Sequence, residues 1–358
     1  EPLRWSGMSD ARMRKLESAS VEDYQFDGVT FSIVVPLYNT PASFFREMLD
    51  SVYNQFYQKW ELLLVNSTPE NSDLAKELSK VQDSRVKVIT LDKNYGISGN
   101  TNRGIEAASG DYIVFFDHDD LLDPMALFEY ASALRDDPKV DALYCDEDFL
   151  NEEGEFVAPH FKSDFNLDLL RCHNYITHLL AVRAPLAKEL GLDSSFDGAQ
   201  DYDFLLRLVE QTQNIEHVAK VLYHWRISDS STAKCSDNKG YADDAGRRAL
   251  QAHYDRLGIA ARSESTENAC FYHTVYDVRT NPKVSVIIPN KDSAAVLDRC
   301  LSSIAEKTNY DNYEVIVVEN NSELPETFEY YREAELRFPF LRVVTWDGPF
   351  NYSAINNF

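Results

Sequence analysis

Apolar runs alternate with amphipathic stretches along the first part of the chain. The apolar runs are rich in Val, Ile, Leu and Phe and end near Pro36, Asn66, Thr90 and Phe116, with a helical pattern between each run and the next. The first helical stretch begins at Thr40-Pro41, and its apolar residues share one helical face: Phe45, Met48, Leu49 and Val52. This alternation predicts an α/β fold in which helices cover both faces of a parallel sheet.

Polar side chains follow all four predicted strands. They are Tyr38 and Asn39, Asn66 and Ser67, Asp92 and Asn94, and the segment Asp117 to Asp120. Ligands of open parallel sheets bind beyond the carboxyl ends of the strands, so we expect these side chains to converge on one crevice. Taken singly, each Asn or Asp is better explained by turn formation. Their coincidence at four consecutive strand ends favours a binding site.

The fourth apolar run ends abruptly in Asp117-His118-Asp119-Asp120. Ionised carboxylates this close together repel one another unless a cation lies between them. Hard oxygen ligands of this kind suit Mg²⁺ or Mn²⁺, which also take substrate phosphates as ligands. We therefore predict a divalent metal site. The alternative is a solvated acidic turn before a helix that Asp123-Pro124 would begin.

A later part of the chain repeats the first. The run 32–36 returns as 285–289, and the run 60–66 returns as 313–319, with an amphipathic stretch between the runs in both copies. The equivalent of the acidic segment would fall beyond the last residue. We expect a complete catalytic unit followed by an incomplete second copy, the alternative being a repeat that serves only as a structural cap. The predicted parts are a helical lead (1–28), a first domain (29–262), a linker (263–282) and the beginning of a second domain (283–358).

Composition narrows the classes of partner. The 358 residues suffice for two domains, and the net charge of −24 argues against nucleic acid and anionic membranes as general partners. Five dispersed cysteines without a CxxC pair are typical of reduced intracellular thiols, and no signal peptide or membrane-spanning run occurs. Neither a GxGxxG motif after the first strand nor a P-loop is present, so the phosphates of a bound nucleotide would need the metal for neutralisation.

Six motifs follow one another in an order typical of one enzyme family. They are Val34-Val35-Pro36-Leu37-Tyr38-Asn39, Asn94-Tyr95-Gly96-Ile97-Ser98, Asn102-Arg103-Gly104-Ile105, Gly110-Asp111-Tyr112 running into Asp117-His118-Asp119-Asp120, Gly198-Ala199-Gln200-Asp201-Tyr202-Asp203-Phe204, and Leu222-Tyr223-His224-Trp225-Arg226. Together they resemble the family-2 glycosyltransferases, over residues 30 to 260. The tandem layout and residues 348–357 are similar to bacterial two-domain glycosyltransferases of cell-surface polysaccharide synthesis, some of which are rhamnosyltransferases.

The resemblance implies a GT-A fold, a Rossmann-like nucleotide-diphospho-sugar transferase domain with a mixed, mainly parallel sheet. It implies an inverting, metal-dependent transfer of a sugar from a UDP- or dTDP-sugar to a hydroxyl of a glycan or lipid-linked glycan. The expected location is the cytoplasm, and peripheral association of a longer protein with the inner face of the plasma membrane is compatible with it. The expected cofactor is Mn²⁺ or Mg²⁺.

The resemblance also assigns catalytic and metal-binding roles. Asp201, in the place of the family's Glu-Asp motif, would be the general base. Asp119 would be the main metal ligand, Asp117 would contact the metal or the ribose, and Asp120 would orient both. His224 would add a metal ligand. From the residues alone, the lesser alternative for Asp201 is a plain helix N-cap, whereas for His224 packing as an aromatic side chain weighs as much as a ligand role.

The expected nucleotide contacts come from strand ends and neighbouring loops: Pro36, Tyr38, Asn39, Asn66, Asn94, Asn102, Asp117 and Arg226, the last reaching the diphosphate. Three departures from the family pattern leave the donor open: Asn66-Ser67 replaces a common Asp-Asp, Gln200 replaces Glu, and Asn100-Thr101-Asn102 replaces Ala-Arg-Asn.

Two other functions fit parts of the pattern. A strand ending in Asp-x-Asp also opens the site of aspartate-nucleophile phosphatases, although there the motif follows the first strand. A non-catalytic glycan-binding or scaffold module would keep the fold without the chemistry.

The acidic run Asp146-Glu147-Asp148 is interpreted as a solvated turn rather than an acceptor contact. An aromatic platform for an acceptor sugar could come from four residues: Phe161, Phe165, Tyr175 and Trp225.

Overall fold

A computed structural model describes residues 28–227 and 236–358. The predicted helical lead therefore lies outside the described residues, except for residue 28. The chain divides into two compact units, the first ending at Tyr276 and the second running from Asp277 to Phe358. None of the helices in the described ranges is long and apolar enough to cross a membrane.

The described part of the first unit is built on a nine-stranded sheet. Its strands are β1 (Phe31–Leu37), β2 (Trp60–Asn66), β3 (Val86–Thr90), β4 (Tyr112–Phe115), β5 (Leu121–Leu122), β6 (Ala142–Leu150), β7 (Phe156–His160), β8 (Leu180–Arg183) and β9 (Ile215–Arg226). Their order is β3-β2-β1-β4-β8-β6-β9-β5, with β7 paired to β6. Strands β1 to β4 are parallel, β6 and β9 are parallel to each other, and β8, β7 and β5 run antiparallel to their neighbours.

Helices connect these strands and cover the sheet. They are α1 (Ala42–Tyr53), α2 (Ser72–Leu78), α3 (Gly96–Ala107), α4 (Ala126–Asp136), α5 (Leu167–Leu170), α6 (Ala184–Leu190), α7 (Gln200–Gln211) and α8 (Ser236–Leu257). Strand β1 is buried along its whole length because both faces of the sheet are covered. Ile33 and Val35 enter one apolar core and Val34 enters the other, as the alternation of a strand requires. The predicted mixed, mainly parallel α/β fold is confirmed.

The carboxyl ends of β1 to β4 meet at one edge of the sheet. Leu37 pairs with Asn66 in the register of β1 and β2, and Asn66 pairs with Thr90 in β3. Val34 pairs with Phe115, so the acidic segment that follows β4 emerges beside the end of β1. The convergence expected from the sequence is therefore present at this edge.

A hairpin ends the first unit. Its strands, β10 (Ala261–Ser265) and β11 (Tyr272–Tyr276), pair antiparallel, and all of the hairpin except Ala261 and Arg262 falls in the predicted linker. Tyr272 is buried, and its backbone N–H donates to the carbonyl of Cys172 at 2.7 Å. Much of the predicted linker thus forms regular structure that packs on the first unit.

The second unit repeats the opening of the first. Its elements are β12 (Val284–Asn290), α9 (Ala294–Lys307), β13 (Tyr313–Glu319), α10 (Pro325–Arg337), β14 (Leu341–Thr345) and α11 (Tyr352–Asn357), and its three strands are parallel. Ser285 pairs with Glu314 as Ser32 pairs with Glu61, and each serine hydroxyl donates to its glutamate, at 2.8 and 2.6 Å. The domain boundaries and the incompleteness of the second copy stay predictions.

Candidate active site

The acidic segment after β4 is held by β9. Asp120 is buried; one carboxylate oxygen accepts from the Tyr223 hydroxyl, and the other accepts from the backbone N–H of Arg226 at 2.8 Å. The guanidinium of Arg226 donates from Nε to the carbonyl of Asp119 at 2.6 Å and from Nη2 to Glu47 at 2.6 Å. Asp120 thus anchors the segment, while the Arg226 side chain holds the backbone of Asp119 in place.

The carboxylates of this segment raise one another's proton affinity. Burial raises the pKa of Asp119, and the charge of Asp117 raises it further. Burial raises the pKa of Asp120 well above its ordinary value, and both neighbouring carboxylates add to the effect. The segment therefore has more negative charge than its surroundings compensate, which is the condition that a bound cation would relieve.

His178 lies between this segment and the interior. Its Nε2 is 3.6 Å from Asp117 Oδ2, its Nδ1 is 3.2 Å from Glu147 Oε2, and its ring stacks on that of Tyr223 with centroids 4.5 Å apart. Burial alone would lower the pKa of His178, but the hydrogen bonds and charges of Asp117 and Glu147 outweigh it and raise the pKa to about 10. The same contact outweighs desolvation at Asp117 and leaves the pKa of that carboxyl below its ordinary value.

Glu147 connects His178 to a buried lysine. Its carboxylate accepts from Lys162 Nζ at 3.0 Å and from the Thr177 hydroxyl at 3.1 Å. The Lys162 ammonium, whose side chain has no exposed surface, also donates to the carbonyl of Ile176 at 2.6 Å. Burial raises the pKa of Glu147, but its hydrogen bonds and the charges of His178 and Lys162 leave that pKa far below the ordinary value.

A divalent cation fits this corner of the site. Among the described residues, the ligand atoms of Asp117, Asp120 and His178 lie within 4.8 Å of one another. Carboxylate oxygens suit Mn²⁺ or Mg²⁺, and the uncompensated charge of the segment points the same way.

The predicted third ligand, His224, lies elsewhere in the sheet. Its Nδ1 is 2.6 Å from Asp148 Oδ1, its ring stacks on Phe156, and it is opposite Leu121 in the register of β5 and β9. The structure does not bring it into the cluster formed by Asp117, Asp120 and His178. His178, and not His224, is the imidazole beside the acidic segment, and the role of His224 as a metal ligand stays a prediction.

Asp201 lies in the first turn of α7, as predicted. Asn174 Nδ2 donates to its Oδ2 at 2.8 Å. Desolvation raises the pKa of Asp201, and the charge of Asp117 contributes in the same direction. A carboxyl with a raised pKa and one fixed oxygen has the properties of a general base.

Two cavities meet at Asp201. The first, of about 110 Å³, is lined by Pro36, Asp117 and His178 and by Asp201 itself. The second, of about 690 Å³, has Trp225 on its wall, and both Asp201 and Thr177 line the two cavities in common. The expected base therefore faces a strand-end pocket on one side and a larger cavity on the other.

Five of the predicted nucleotide contacts divide into two groups: two residues that directly follow β1, and three asparagines whose side chains bind other parts of the protein. Tyr38 is exposed directly after β1, and Asn39 follows it with φ +48°, its N–H donating to Thr68 Oγ1 at 3.1 Å. Three asparagines have structural partners: Asn66 accepts from Thr68 N, Asn94 accepts from Gly96 N and Asn100 Nδ2, and Asn102 exchanges two hydrogen bonds with the backbone of Leu192. The turn chemistry noted in the sequence accounts for Asn66 and Asn94, whereas Asn102 lies within α3 and binds a segment distant in sequence.

The acidic run in β6 corrects an expectation. Asp146, Glu147 and Asp148 belong to a nine-residue strand and are buried, so the interpretation as a solvated turn is wrong. Asp146 has His217 Nε2 at 2.9 Å and Asp148 has His224 Nδ1 at 2.6 Å, while Glu147 binds Lys162 and His178. Each carboxylate can lie inside the protein because it has a basic partner there.

The four aromatic candidates for an acceptor platform differ in burial and in their position relative to the two cavities. Tyr175 is buried, Phe165 packs against the second core, and Phe161 is exposed away from both cavities. Trp225 alone of the four lines the larger cavity.

Sequence reasoning missed His178, Lys162 and Asn174, and it misplaced Glu147. A signal for His178 does exist in the pattern, because His173, Asn174, Thr177 and His178 come shortly before the apolar strand β8. That strand runs antiparallel to β4, with Leu180 opposite Phe115, so the residues before β8 must lie beside those after β4. The antiparallel pairing itself could not be read from local periodicity.

Comparisons with known proteins point to one family. The family model described as "Glycosyl transferase family 2" matches residues 32–191 and 285–355. An uncharacterized protein of Sinorhizobium fredii is 40% identical over 337 residues, covering 92% of this chain and 37% of that protein. The O-antigen biosynthesis protein RfbC of Myxococcus xanthus is 41% identical over 330 residues, covering 91% of this chain and 26% of that protein. The chain thus spans well under half the length of these two relatives.

Solved structures are more distant. A mannosyltransferase from Pyrobaculum calidifontis, crystallised with GDP-Man and Mn²⁺, covers 69% of this chain and 70% of its own, with 18% identity and a TM-score of 0.47. A likeness of this extent bears on neither the donor nor the metal of the present chain.

Proposed function

Because the chain belongs to glycosyl transferase family 2, we propose that its first unit transfers a sugar from a nucleotide-diphosphate donor to a hydroxyl of a growing glycan. The family resemblance seen in the motifs is thereby confirmed. The observation that supports the proposal most strongly is the position of Asp201, on the common wall of two cavities. Transfer needs a base beside the acceptor hydroxyl and within reach of the donor's anomeric carbon, and a carboxylate that borders both cavities suits that role.

In the proposed reaction the acceptor hydroxyl attacks the anomeric carbon in line with the departing diphosphate, and the configuration inverts. Asp201 takes the proton of that hydroxyl, with Asn174 fixing the carboxylate orientation through its 2.8 Å hydrogen bond. Proton removal by a positioned base typically contributes on the order of 10²–10⁴-fold. The reacting end of the donor is proposed to lie beside Asp117, whose position His178 and Glu147 secure, because the strand-end pocket of about 110 Å³ is too small for a whole nucleotide sugar.

A divalent cation completes the proposed site. Asp119 lies outside the cluster of Asp117, Asp120 and His178. Both Asp120 oxygens already accept hydrogen bonds, from Tyr223 and from the Arg226 N–H, so we propose that Asp117 and Asp119 would hold the cation. A bound Mn²⁺ or Mg²⁺ offsets the charge that develops on the leaving diphosphate. The proposed donors are UDP- or dTDP-sugars.

The whole protein is proposed to act in synthesis of a bacterial cell-surface polysaccharide, at the cytoplasmic side of the membrane. Support comes from the relative in Myxococcus xanthus, which is an O-antigen biosynthesis protein. The acceptor would then be a glycan or a lipid-linked glycan.

Asp201→Asn tests the proposal. We expect the variant to bind nucleoside diphosphate as the unchanged protein does and to lose on the order of 10²–10⁴-fold in transfer. The measurement is release of nucleoside diphosphate from a panel of UDP-, dTDP- and GDP-sugars with Mn²⁺ and oligosaccharide acceptors. Asp136→Asn, an exposed carboxylate at the end of α4, is the matched control and should behave as the unchanged protein.

Three results would contradict the proposal. Retained transfer by Asp201→Asn would place the base elsewhere. Release of inorganic phosphate from simple phosphomonoesters would favour an aspartate-nucleophile phosphatase. Failure to bind any metal or nucleotide would favour a non-catalytic glycan-binding module.

A further inference from the structure

The larger cavity at Asp201, called the chamber below, has walls from several elements of the fold. Its volume of about 690 Å³ falls within the range of roughly 300–1,000 Å³ that small-molecule sites occupy. One wall comes from the start of α7, another from residues 173–177 before β8, and a third from the loop that joins β10 to β11. The walls belong to one unit, so the chamber is a feature of that unit alone.

The β10–β11 loop is held in a defined shape. Thr266 N donates to the carbonyl of Phe271 at 3.2 Å, and Phe271 N donates to the carbonyl of Asn268 at 3.2 Å, closing the loop on itself. Cys270 has a φ of +64°, and its N–H donates to Asp243 Oδ1 at 2.7 Å, which fixes the loop to α8. A loop closed and anchored in this way presents its side chains without a large ordering cost on binding.

Among the aromatic side chains that line this chamber, Phe271 and Trp225 come from different elements and, unlike Tyr202 and Tyr272, are not buried. Phe271 is 45% exposed, and its centroid is 4.5 Å from that of His173, which supports it from one side. Trp225 is fixed by stacking on Phe149 at 5.5 Å and by an edge contact with His178 at 5.0 Å. Aromatic faces of this kind bind the apolar C–H face of a sugar ring, and neighbouring amides and carboxylates bind its hydroxyls.

The charges of the chamber have one sign. Asp201 and Glu267 contribute carboxylates, and no lysine or arginine occurs among the described residues that line it. The one histidine on the wall is His173, and burial lowers its pKa, so it is neutral at pH 7. A ligand that carries a carboxylate or phosphate would meet repulsion here without a compensating cation.

We propose that this chamber is the acceptor site and that it accepts an uncharged sugar ring stacked on Phe271 and Trp225, discriminating against uronic acids and phosphorylated sugars. The identification of the ligand as an acceptor depends on the proposed function. The discrimination depends only on the walls of the chamber. The polar groups available to the hydroxyls of the sugar include Asn174 and Asn268.

Matched glycosides test the charge preference. Methyl glucuronide differs from methyl glucoside only in carrying a carboxylate in place of the CH₂OH group. Methyl galacturonide differs from methyl galactoside in the same way. We expect saturation-transfer NMR on the 358-residue protein to give at least roughly tenfold weaker binding of the glucuronide and galacturonide. Equal or tighter binding of the charged partners would overturn the proposal.

Variants test the location. Phe271→Ala should weaken binding of the neutral glycosides at least roughly fivefold, whereas Phe161→Ala, which removes an exposed phenylalanine outside both cavities, should leave it unchanged. Glu267→Gln should reduce the difference in binding affinity between neutral and charged glycosides. The control Glu264→Gln, on β10 outside the chamber, should leave that difference unchanged. A Phe271→Ala variant that melts as the unchanged protein yet binds normally, or a difference in affinity unaffected by Glu267→Gln, would refute the assignment.

A titration with nucleoside diphosphates distinguishes failure of this proposal from failure of the proposed function. The same protein is titrated with UDP, dTDP and GDP in the presence of Mn²⁺. Nucleotide binding without glycoside binding by any member of the panel would overturn the acceptor site and leave the glycosyltransferase assignment standing. Loss of nucleotide binding as well would overturn both.

Discussion

Glu147→Gln is the most informative perturbation of the buried network. The Glu147 side chain is 4% exposed and that of Lys162 is fully buried, with 3.0 Å between the carboxylate and the ammonium. Glutamine keeps the shape and one acceptor but removes the charge, which leaves the ammonium of Lys162 without its counter-ion. Breaking a buried pair in this way typically costs about 3–5 kcal/mol. Since the carbonyl of Ile176 still accepts from Lys162 at 2.6 Å, we expect the lower end, about 3 kcal/mol.

That cost should appear as a large shift in the thermal transition. Each kcal/mol lowers Tm by roughly 2–4 °C in a unit of this size, so Glu147→Gln should melt roughly 6–12 °C lower. Differential scanning calorimetry is suitable because it can resolve separate transitions for the two units. The control is Asp73→Asn, which breaks an ion pair of the same 3.0 Å length with Lys76 at the surface and should cost no more than about 0.5 kcal/mol.

A double-mutant cycle distinguishes loss of the charge pair from general damage. Lys162→Met removes the stranded ammonium, so adding it to Glu147→Gln should recover part of the lost stability, while Lys162→Met alone should be strongly destabilising. If Glu147→Gln lowers Tm no more than Asp73→Asn, or if the two changes simply add, the network does not hold a buried charge pair as argued.

Three further predictions concern the metal, acid stability and packing. Asp119→Ala should abolish the Mn²⁺-dependent gain in affinity for nucleoside diphosphate in calorimetric titrations; unchanged affinity would refute its ligand role. Burial raises the pKa of Glu61, but its hydrogen bonds outweigh this and lower the pKa to about 2, so its contribution to stability is present above pH 4.5 and is lost as the pH falls to about 2. Glu61→Gln should flatten Tm against pH across that window, and an unchanged slope would contradict the assignment. Gly104→Ala would bring the new Cβ too close to Val34 Cγ1 and should lower the free energy of unfolding in urea by about 1–3 kcal/mol. The control Gly240→Ala, with open space around it, should be neutral or stabilising by up to ~1 kcal/mol. Equal effects of the two substitutions would exclude the close packing of α3 on the sheet.

The local pattern of apolar residues was sufficient to predict the first half of the sheet. The strands predicted to end near Pro36, Asn66 and Thr90 end at Leu37, Asn66 and Thr90. The apolar face expected of the first helix is the buried face of α1, with Phe45, Met48, Leu49 and Val52 inside. These elements were predictable because burial on both faces leaves near-continuous apolar runs, and because one-sided burial leaves a helical period.

The rest of the site was not predictable because its contacts are distant in sequence. Asp146 to Asp148 look like a turn when only their polarity is considered, yet they continue a strand because His217, Lys162 and His224 come to them from other segments. The interior position of a carboxylate depends on whether a partner reaches it, and sequence alone does not give that distance.

The signs of the buried charges explain why the metal should act through Asp119 in particular. From the interior to the cavity the charges alternate, running from Lys162 through Glu147 and His178 to Asp117, with 3.0, 3.2 and 3.6 Å between successive groups. Asp117 is therefore already compensated, and its pKa is low. Asp119 has only the His118 ring at 4.0 Å as a close ionic contact among the described residues, and its pKa is raised. A divalent cation gains most where a carboxylate is least compensated, so removing Asp119 should weaken metal-dependent nucleotide binding more than removing Asp117 does.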